Sequence, residues 1–335
     1  MSMMKLRWGV LGCAGIAVRS VMPAIQKSER GELVAIASRG IDKAQETAAK
    51  MNIPKAYGSY EELLADPGID AVYIPLPNHL HKEWTIKAAE AGKHVLCEKP
   101  AAMDADEAEQ MVEACRKAGV VFAEAFMYRL HPRVERVKSI IASGEIGELR
   151  AVNGCFTFNN AADAGNVRYR QEWGGGSIYD VGVYPLSAAR WIIGAEPEAV
   201  TVHALFSEQH GGVDMMASGL IEFGGGIGMT FDCGMWAAYR QGVEILGTEG
   251  RIELKGAFTN TEPFIVHTKE GEREEGLFHD LNNYVTQADQ FARAAFGEAA
   301  YPFPAEDAIA NMRLVDACLL SARTRSRVLV KGQGV

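Results

Sequence analysis

Two residues that could exchange a proton with a hydroxyl group lie close together in the middle of the chain. Asp180 and Tyr184 are four residues apart, follow the glycine run 174–176, and belong to a predicted helix that continues through Trp191. Side chains four apart project from one face of a helix, and glycines let a loop pass close to a ligand. A carboxylate and a phenol on one face suit general acid–base chemistry, although a core tyrosine at a helix start would show the same pattern.

A glycine turn near the N-terminus is a second candidate site. The turn consists of Gly12, Cys13, Ala14, Gly15 and Ile16. It follows the first predicted strand and opens the first predicted helix, where main-chain N–H groups and the positive helix end favour a pyrophosphate. Ala14 stands where the strict fingerprint has its second glycine. The alternative is an ordinary strand-to-helix turn, but the strand–helix alternation that follows favours a dinucleotide site.

The end of the second predicted strand bears on the choice of dinucleotide. An acidic residue there would bind the ribose 2′-hydroxyl of NAD and repel a 2′-phosphate. This chain has Ser38 and Arg39 instead, with Lys43 one helical turn further on. A hydroxyl and two cations indicate that NADP is the cofactor, with NAD still possible. The alternative is a solvated turn that carries basic residues by chance.

Short apolar strands alternate with helices through the first 125 residues. The predicted strands are 8–11, 33–37, 71–74, 94–97 and 120–123, and the helices include 42–51, which Asp42 is expected to cap, and 104–117. Strands in which apolar residues do not alternate with polar ones, placed between helices, indicate a parallel sheet covered on both faces. We therefore expect a doubly wound α/β domain over residues 1–125.

The pattern changes after His131 and Pro132. Longer strands with hairpin turns follow, among them 227–233 and a hairpin over 243–254 about residues 248–250, and two helices near 284–296 and 306–325 come last. We expect residues 126–335 to form an α+β domain that has a large, mostly antiparallel open sheet with helices on one face.

Composition excludes several classes of function. The formal net charge of -9 argues against a nucleic-acid groove, and no apolar run reaches the roughly 20 residues of a membrane span. The N-terminus lacks a signal-peptide pattern, so the cytoplasm is the expected compartment. Six scattered cysteines indicate buried thiols. His79 and His81 have no accompanying acidic or cysteine cluster, so no metal is expected.

Five motifs occur in order along nearly the whole chain. They are Trp8-Gly9-Val10-Leu11-Gly12-Cys13-Ala14, Pro77-Asn78-His79-Leu80-His81, Glu98-Lys99-Pro100, Glu124-Ala125-Phe126-Met127-Tyr128-Arg129 and Gly174-Gly175-Gly176-Ser177-Ile178-Tyr179-Asp180-Val181-Gly182-Val183-Tyr184. Together they strongly resemble the glucose–fructose oxidoreductase/inositol dehydrogenase/MocA family. Within that family the chain is most similar to the branch of D-xylose dehydrogenases and dimeric dihydrodiol dehydrogenases.

The resemblance implies roles for matching positions. The motif Glu98-Lys99-Pro100 would contain a cis proline at Pro100, and this turn would hold Lys99 beside the nicotinamide. The stretch that would line the nicotinamide ribose includes Pro77, Asn78 and His81. In the second domain, Asp180 and Tyr184 would be the acidic residue and the proton-transfer residue. Many family members have histidine at the position of Tyr184, so tyrosine indicates the aldose and dihydrodiol branch.

The expected chemistry is hydride transfer between nicotinamide and a carbinol carbon. Free tyrosine has a pKa of about 10, so a neighbouring ammonium, that of Lys99, would favour the phenolate of Tyr184. Asp180 would orient the sugar or the lysine, and His131 or His81 would be examined next if Tyr184 proved dispensable. Four further residues are weaker candidates for substrate contacts: Tyr128, Arg129, Arg168 and Trp173. For each of them, packing or a surface salt bridge is an equal alternative.

These expectations favour an NADP-dependent aldose dehydrogenase acting on D-xylose or a similar sugar. The alternatives are a ketoreductase on a deoxysugar nucleotide, a dihydrodiol dehydrogenase, and a cofactor-binding regulator without catalysis. A nucleotide sugar would need a second phosphate site, and no basic cluster in the second half indicates one. Apolar strands 220–223 and 227–233 suggest a sheet face to be covered, so a homodimer or homotetramer is expected.

Overall fold

Six parallel strands form the first sheet in the computed structural model, which describes residues 4–163, 165–259, 262–276, 281–330 and 332. In spatial order they run β3-β2-β1-β4-β5-β6, so the order reverses between β1 and β4. In doubly wound sheets, ligands bind beyond the carboxyl ends of the strands at such a reversal. The expected α/β architecture is confirmed. The strands are β1 (Leu6–Leu11), β2 (Gly31–Ala37), β3 (Lys55–Tyr57), β4 (Ala71–Ile74), β5 (His94–Cys97) and β6 (Phe122–Glu124).

Five helices connect these strands. They are α1 (Met22–Lys27), α2 (Ile41–Met51), α3 (Tyr60–Leu64), α4 (His81–Glu90) and α5 (Ala105–Ala118). Ser59 caps α3 by accepting from the N–H of Glu62 at 3.2 Å, and Asp104 caps α5 in the same way. The expectation that Asp42 caps α2 is wrong. The chain becomes helical at Ile41, so Gly40 is the capping position and Asp42 lies in the first turn.

The chain forms two compact units, and the first contains residues from both ends of the sequence. It comprises Met1–Leu130 together with Asn282–Ile309, and His131–Leu281 and Ala310–Val335 form the second. The returning segment includes α8 (Asn283–Ala295), whose Phe291 ring packs 5.0 Å from that of Trp8. The sequence predicted a single domain boundary after residue 125, and so did not anticipate that Asn282–Ile309 belongs to the first unit.

Nine strands form the sheet of the second unit, in the order β14-β13-β12-β11-β7-β10-β9-β8-β15. Among the described pairings only β7 with β10 is parallel, which agrees with the expected mostly antiparallel sheet. The strands are β7 (Leu149–Asn159), β8 (Pro197–Ser207), β9 (Val213–Phe223), β10 (Gly228–Gly234), β11 (Trp236–Gly247), β12 (Gly250–Lys255), β13 (Phe264–Thr268), β14 (Gly271–Glu275) and β15 (Val328–Leu329).

Three more α-helices lie in the described parts of the chain. They are α6 (Pro132–Ala142), α7 (Val183–Ile193) and α9 (Glu306–Thr324), which begins in the first unit and continues in the second. Helix α7 packs against β7 at Gly154, where a Cβ atom would lie 2.7 Å from Pro185 Cβ. Glycine at residue 154 therefore permits the helix to approach the sheet closely.

The two faces of this sheet differ in polarity. The side chains of Ile221, Met229 and Phe231 are buried. On the opposite face, Leu205 and Leu220 are 49% and 43% exposed, among polar side chains such as Thr230, which pairs with Asn153 at 2.7 Å. Most apolar side chains of β9 and β10 are thus already buried within the chain. These side chains, expected to be covered by a partner subunit, are for the most part covered by the chain itself.

Candidate active site

In the first unit, Lys99 lies in a turn just beyond the end of β5. The Lys99–Pro100 peptide bond is cis, as expected. Glu98 fixes the start of this turn, because its Oε1 accepts from the Tyr73 hydroxyl at 2.6 Å and its Oε2 from the N–H of Lys99 at 3.2 Å. Glu124 accepts from the N–H of Ala101 at 2.9 Å on the far side of the turn. Two carboxylates therefore hold the backbone around Lys99.

A buried histidine joins this turn to the end of β4. Both ring nitrogens of His81 face carbonyl oxygens, with Nε2 2.7 Å from Leu76 O and Nδ1 2.9 Å from Pro100 O. Burial lowers the pKa of His81, and the carbonyl contacts oppose that shift. The side chain has no exposed surface. His81 therefore bridges the two loops, and its expected contact with the cofactor stays a prediction.

The other two residues expected near the nicotinamide ribose lie on one of those loops. Pro77 precedes a short 3-10 turn, Asn78–Leu80, that leads directly into α4. Both residues are partly exposed, unlike His81. They sit beyond the carboxyl end of β4, at the edge where a parallel sheet binds ligands.

The glycine turn after β1 is the predicted phosphate-binding loop. Gly12 has φ +109°, which strongly favours glycine, and a Cβ there would lie 3.0 Å from Leu76 Cδ2. The N–H of Gly12 donates to Ala37 O at 2.8 Å, which ties the turn to the end of β2. After it, Cys13, Ala14 and Ile16 are partly exposed, and Gly15 is exposed.

The basic residues expected to select NADP lie next to this turn. Ser38 is buried at the end of β2, whereas Arg39 and Lys43 are exposed. Cys13 Sγ lies 3.8 Å from the carbonyl oxygen of Lys43, so the glycine turn and the start of α2 are neighbours. In the first unit, the glycine turn predicted to bind the pyrophosphate thus lies next to the residues predicted to bind the 2′-phosphate of NADP.

In the second unit, Asp180 and Tyr184 lie at the start of one helical segment. Asp180 belongs to a π-helical turn, Ile178–Gly182, that continues into α7, where Tyr184 is the second residue. The expected regular α-helical spacing is therefore only approximate, because the π turn is wider; such turns are frequent at functional sites. The 7% exposed ring of Tyr184 packs 5.3 Å from Phe156 and 5.4 Å from Phe258.

An arginine pairs with the acidic residue of this segment. Arg168 Nε donates to Asp180 Oδ2 at 2.6 Å, and the charge of Asp180 raises the pKa of Arg168. Arg168 also interacts electrostatically with Tyr184. The sequence predicted Arg168 as a substrate contact without linking it to Asp180. A cation placed between a carboxylate and a phenol can stabilise negative charge on either.

The three remaining substrate candidates are placed very differently. Trp173 ends a short 3-10 turn, Gln171–Trp173, and is 37% exposed. Tyr128 and Arg129 are buried in the first unit, where Arg129 pairs with Asp307 and lies over the ring of Phe126. Their surroundings favour packing over substrate contact. His131 caps α6 by accepting from the N–H of Arg133 at 3.2 Å.

Several supporting residues were not predicted from the sequence. Tyr73 and Glu124 hold the Lys99 turn, and Phe156 and Phe258 surround Tyr184. Glu124 opens one of the five motifs, but no role was predicted for it. The other three are aromatic residues of types common in any core, so no motif marks them. The described residues contain no group of three acidic, histidine or cysteine side chains that could hold a metal. None of the described helices has the length and apolar character needed to cross a bilayer.

A doubly wound unit with a phosphate-binding turn, followed by a unit with an acid–phenol pair, defines a dinucleotide-dependent oxidoreductase. Two family models agree. The oxidoreductase family with an NAD-binding Rossmann fold matches residues 6–126, and the GFO/IDH/MocA C-terminal domain matches residues 134–253. The chain belongs to the GFO/IDH/MocA oxidoreductase family.

Relatives in this family act on different substrates. A D-xylose 1-dehydrogenase (NADP(+)) from Haloferax volcanii is 39% identical over 96% of this chain and 99% of its own length. A trans-1,2-dihydrobenzene-1,2-diol dehydrogenase from Mus musculus is 34% identical over 81% of this chain and 80% of its own. A crystal structure of a 3-ketoreductase from Actinomadura kijaniata with NADP and TDP-benzene has a TM-score of 0.89 at 32% identity, covering 95% of this chain and 98% of that one.

Proposed function

We propose that this protein is an NADP-dependent aldose dehydrogenase, which oxidises the anomeric carbinol of D-xylose or a similar sugar. The observation that carries the proposal is the acid–phenol pair of Asp180 and Tyr184, with Arg168 bound to the acid. The extensive identity to a D-xylose 1-dehydrogenase supports the choice of substrate class.

The glycine turn fits a dinucleotide. Gly12 has a positive φ that favours glycine, and without a side chain its backbone could approach a pyrophosphate closely. Ser38, Arg39 and Lys43 would hold the 2′-phosphate of NADP, and Lys99 with the backbone of Pro77 and Asn78 would face the nicotinamide. When bound, this cofactor accepts or supplies the hydride.

The protein supplies the proton transfer and the position of the sugar. Tyr184 Oη accepts the proton of the carbinol hydroxyl during oxidation and returns it during reduction. The ammonium of Lys99 stabilises the phenolate form of Tyr184. Asp180, held by Arg168, accepts hydrogen bonds from the sugar hydroxyls and fixes which carbon faces the hydride acceptor.

Activity measurements test this proposal. Aldoses are screened for NADP+ reduction by the absorbance of the reduced cofactor, and D-xylose should be among the substrates. Tyr184→Phe should lower kcat by about 10²–10⁴-fold without changing NADP affinity. Tyr169→Phe is the matched control, because Tyr169 donates to Asn160 O at 2.7 Å in the same unit and has no proposed part in the reaction. A Tyr184→Phe enzyme within threefold of the parent would exclude the proposed chemistry.

Two other substrate classes are assayed beside the aldoses. A deoxysugar nucleotide is favoured by the likeness to a dTDP-3,4-didehydro-2,6-dideoxy-alpha-D-glucose 3-reductase from Actinomadura kijaniata, and a trans-dihydrodiol by the likeness to the mouse relative. Oxidation of a dihydrodiol, or reduction of a keto sugar nucleotide, at a much higher kcat/KM than any aldose would replace the aldose assignment. A non-catalytic regulator would bind NADP and turn over none of the three.

The choice of cofactor is tested at Arg39. A charge-assisted hydrogen bond contributes about 1.5–3 kcal/mol, which corresponds to about 10- to 100-fold in affinity. Arg39→Ala should therefore weaken NADP binding by that factor and leave NAD binding nearly unchanged. Lys50→Ala, an exposed lysine in the last turn of α2, is the control. Equal losses for both cofactors would contradict the assignment.

We also propose a homodimer or homotetramer in the cytoplasm. Leu205 and Leu220 remain exposed on the outer face of the nine-stranded sheet and could be covered by another subunit. Light scattering at micromolar concentration should give a multiple of the 36.4 kDa chain mass. A monomer mass would contradict the assembly and leave the proposed chemistry untouched.

A further inference from the structure

A carboxylate is buried beside the glycine loop that precedes Asp180. Asp214 is the second residue of β9, lies between the apolar residues Val213 and Met215, and is 2% exposed. No ion pair of the described residues includes it, and its charge contributes to a raised pKa of the neighbouring Cys233 thiol on β10. A buried carboxylate costs free energy unless hydrogen bonds replace its water.

Those hydrogen bonds come from the start of the helical segment that carries the acid–phenol pair. Asp214 Oδ2 accepts from Ser177 Oγ at 2.7 Å and from the N–H of Ile178 at 2.8 Å. Ser177 occupies the capping position but makes no side-chain capping bond of its own. The first N–H groups of a helix lack partners within the helix and favour negative charge. Asp214 therefore caps this segment from a distant strand.

The same carboxylate fixes the glycine loop. Gly176 has φ +121°, and a Cβ atom there would lie 2.1 Å from Asp214 Oδ1. On the other side, the N–H groups of Gly175 and Gly176 donate to Arg170 O at 2.9 Å and Arg168 O at 3.0 Å. The loop is thus held between Asp214 and the segment whose Arg168 side chain binds Asp180.

We propose that Asp214 is the positioning residue for proton transfer, because it fixes the start of the helical segment from which Asp180 and Tyr184 project. The inference rests on the proposed role of Tyr184. A group kept only for stability would not need a charge, since well-packed apolar residues stabilise a core equally well or better. A carboxylate, in contrast, can accept from several donors at once and so specify one loop conformation.

Asp214→Asn tests the inference with little change in volume. The asparagine amide has only one acceptor oxygen, and its NH2 group is itself a donor, so it cannot replace the second carboxylate oxygen as an acceptor. The variant should lose about 10- to 100-fold in kcat, since small displacements of a reacting group have effects of that size. NADP affinity should not change. The control is Asp232→Asn on β10, because Asp232 pairs with Arg240 on the outer side of the sheet.

The pH profile separates positioning from general stability. Burial raises the pKa of Asp214 to about 6. The kcat of the parent should therefore fall below about pH 6, and Asp214→Asn should lack that acidic limb. A variant with a lowered melting temperature but a parental kcat and pH profile would overturn the inference.

A second variant covers the case in which Asp214→Asn does not fold. Ser177→Ala removes one donor and leaves the N–H of Ile178 in place, so it should lower kcat by a smaller factor and retain the acidic limb. If Ser177→Ala leaves kcat within twofold, the hydrogen bonds do not position Tyr184 and the inference fails. A Tyr184→Phe enzyme that remains active would instead refute the proposed function itself.

Discussion

The two units hold their candidate catalytic residues in opposite ways. At the Lys99 turn, the buried connector is His81, a donor that faces the carbonyl oxygens of Leu76 and Pro100. At the start of the Tyr184 segment, the buried connector is Asp214, an acceptor that faces the donors of Ser177 and Ile178. A neutral imidazole carries one N–H, so protonation completes the first arrangement, whereas protonation removes acceptor capacity from the second.

Burial disfavours the charged form of both connectors, but the consequence differs between the two units. Burial lowers the pKa of His81 and raises that of Asp214 to about 6, so it disfavours the charged form of both. For His81 the Lys99 turn has further support from Glu98 and Glu124. Asp214 is the shared acceptor for both donors at the helix start. The second unit should therefore depend more on its connector than the first.

The largest effect is expected from Lys99→Met, which removes the cation proposed to stabilise the Tyr184 phenolate. We expect kcat for oxidation to fall by about 10²–10⁴-fold. The rise of kcat with pH that reports the Tyr184 phenolate should move to higher pH, because the phenol loses a neighbouring positive charge. Steady-state kinetics of oxidation from pH 6 to 10 measure both. Lys87→Met, at a partly exposed lysine of α4 paired with Glu83, is the matched control. An unchanged rise of kcat with pH would show that Lys99 does not act on Tyr184.

The next effect concerns stability and sharpens the comparison at Asp214. Its folded pKa of about 6 exceeds the unfolded value of 3.8, so the unfolded chain loses its proton first. The stability that the protonated folded form contributes below pH 3.8 is lost as the pH rises through 6. A shift of about two units at about 1.4 kcal/mol per unit amounts to about 3 kcal/mol.

Urea unfolding of the parent and of Asp214→Asn at pH 4.5 and pH 7 measures the larger part of this contribution. The free energy of unfolding of the variant minus that of the parent should be larger at pH 7 than at pH 4.5, because the parent loses stability over this range. Groups unaffected by the substitution cancel in the difference. Identical differences at the two pH values would mean that Asp214 does not titrate in this range.

Much of the first unit could be predicted from sequence because its functional positions follow strand ends. Gly12, Arg39 and Lys99 each come just after a short apolar run, and parallel strands bring such ends to one edge. The exception is α8, which returns to this unit from the far end of the chain. Nothing local in its sequence indicates that Phe291 packs on Trp8.

The second unit was less predictable because its contacts join distant strands. Asp180 and Tyr184 could be paired by spacing, but Asp214 reaches Ser177 across 37 residues. An acid between Val213 and Met215 is a signal in the sequence, since a charge inside an apolar run needs a partner. Which partner it has depends on strand register, and periodicity alone does not predict the register between distant strands.

The smallest effect is expected from His81→Gln, which tests the claim that the first unit spreads its support over several contacts. Neutral histidine and the glutamine amide can each donate to one of the two carbonyls, so at most about one hydrogen bond is lost through the different shape of the side chain. A net contribution of about 1 kcal/mol corresponds to about fivefold, and we expect changes up to that size in kcat or in the KM for NADP. His79→Gln, in the 3-10 turn that precedes His81, is the control. If His81→Gln lowers kcat more than Asp214→Asn does, the Lys99 turn depends on a single connector after all. The contrast between the two units would then be refuted, although the proposed roles of Lys99 and Tyr184 would stand.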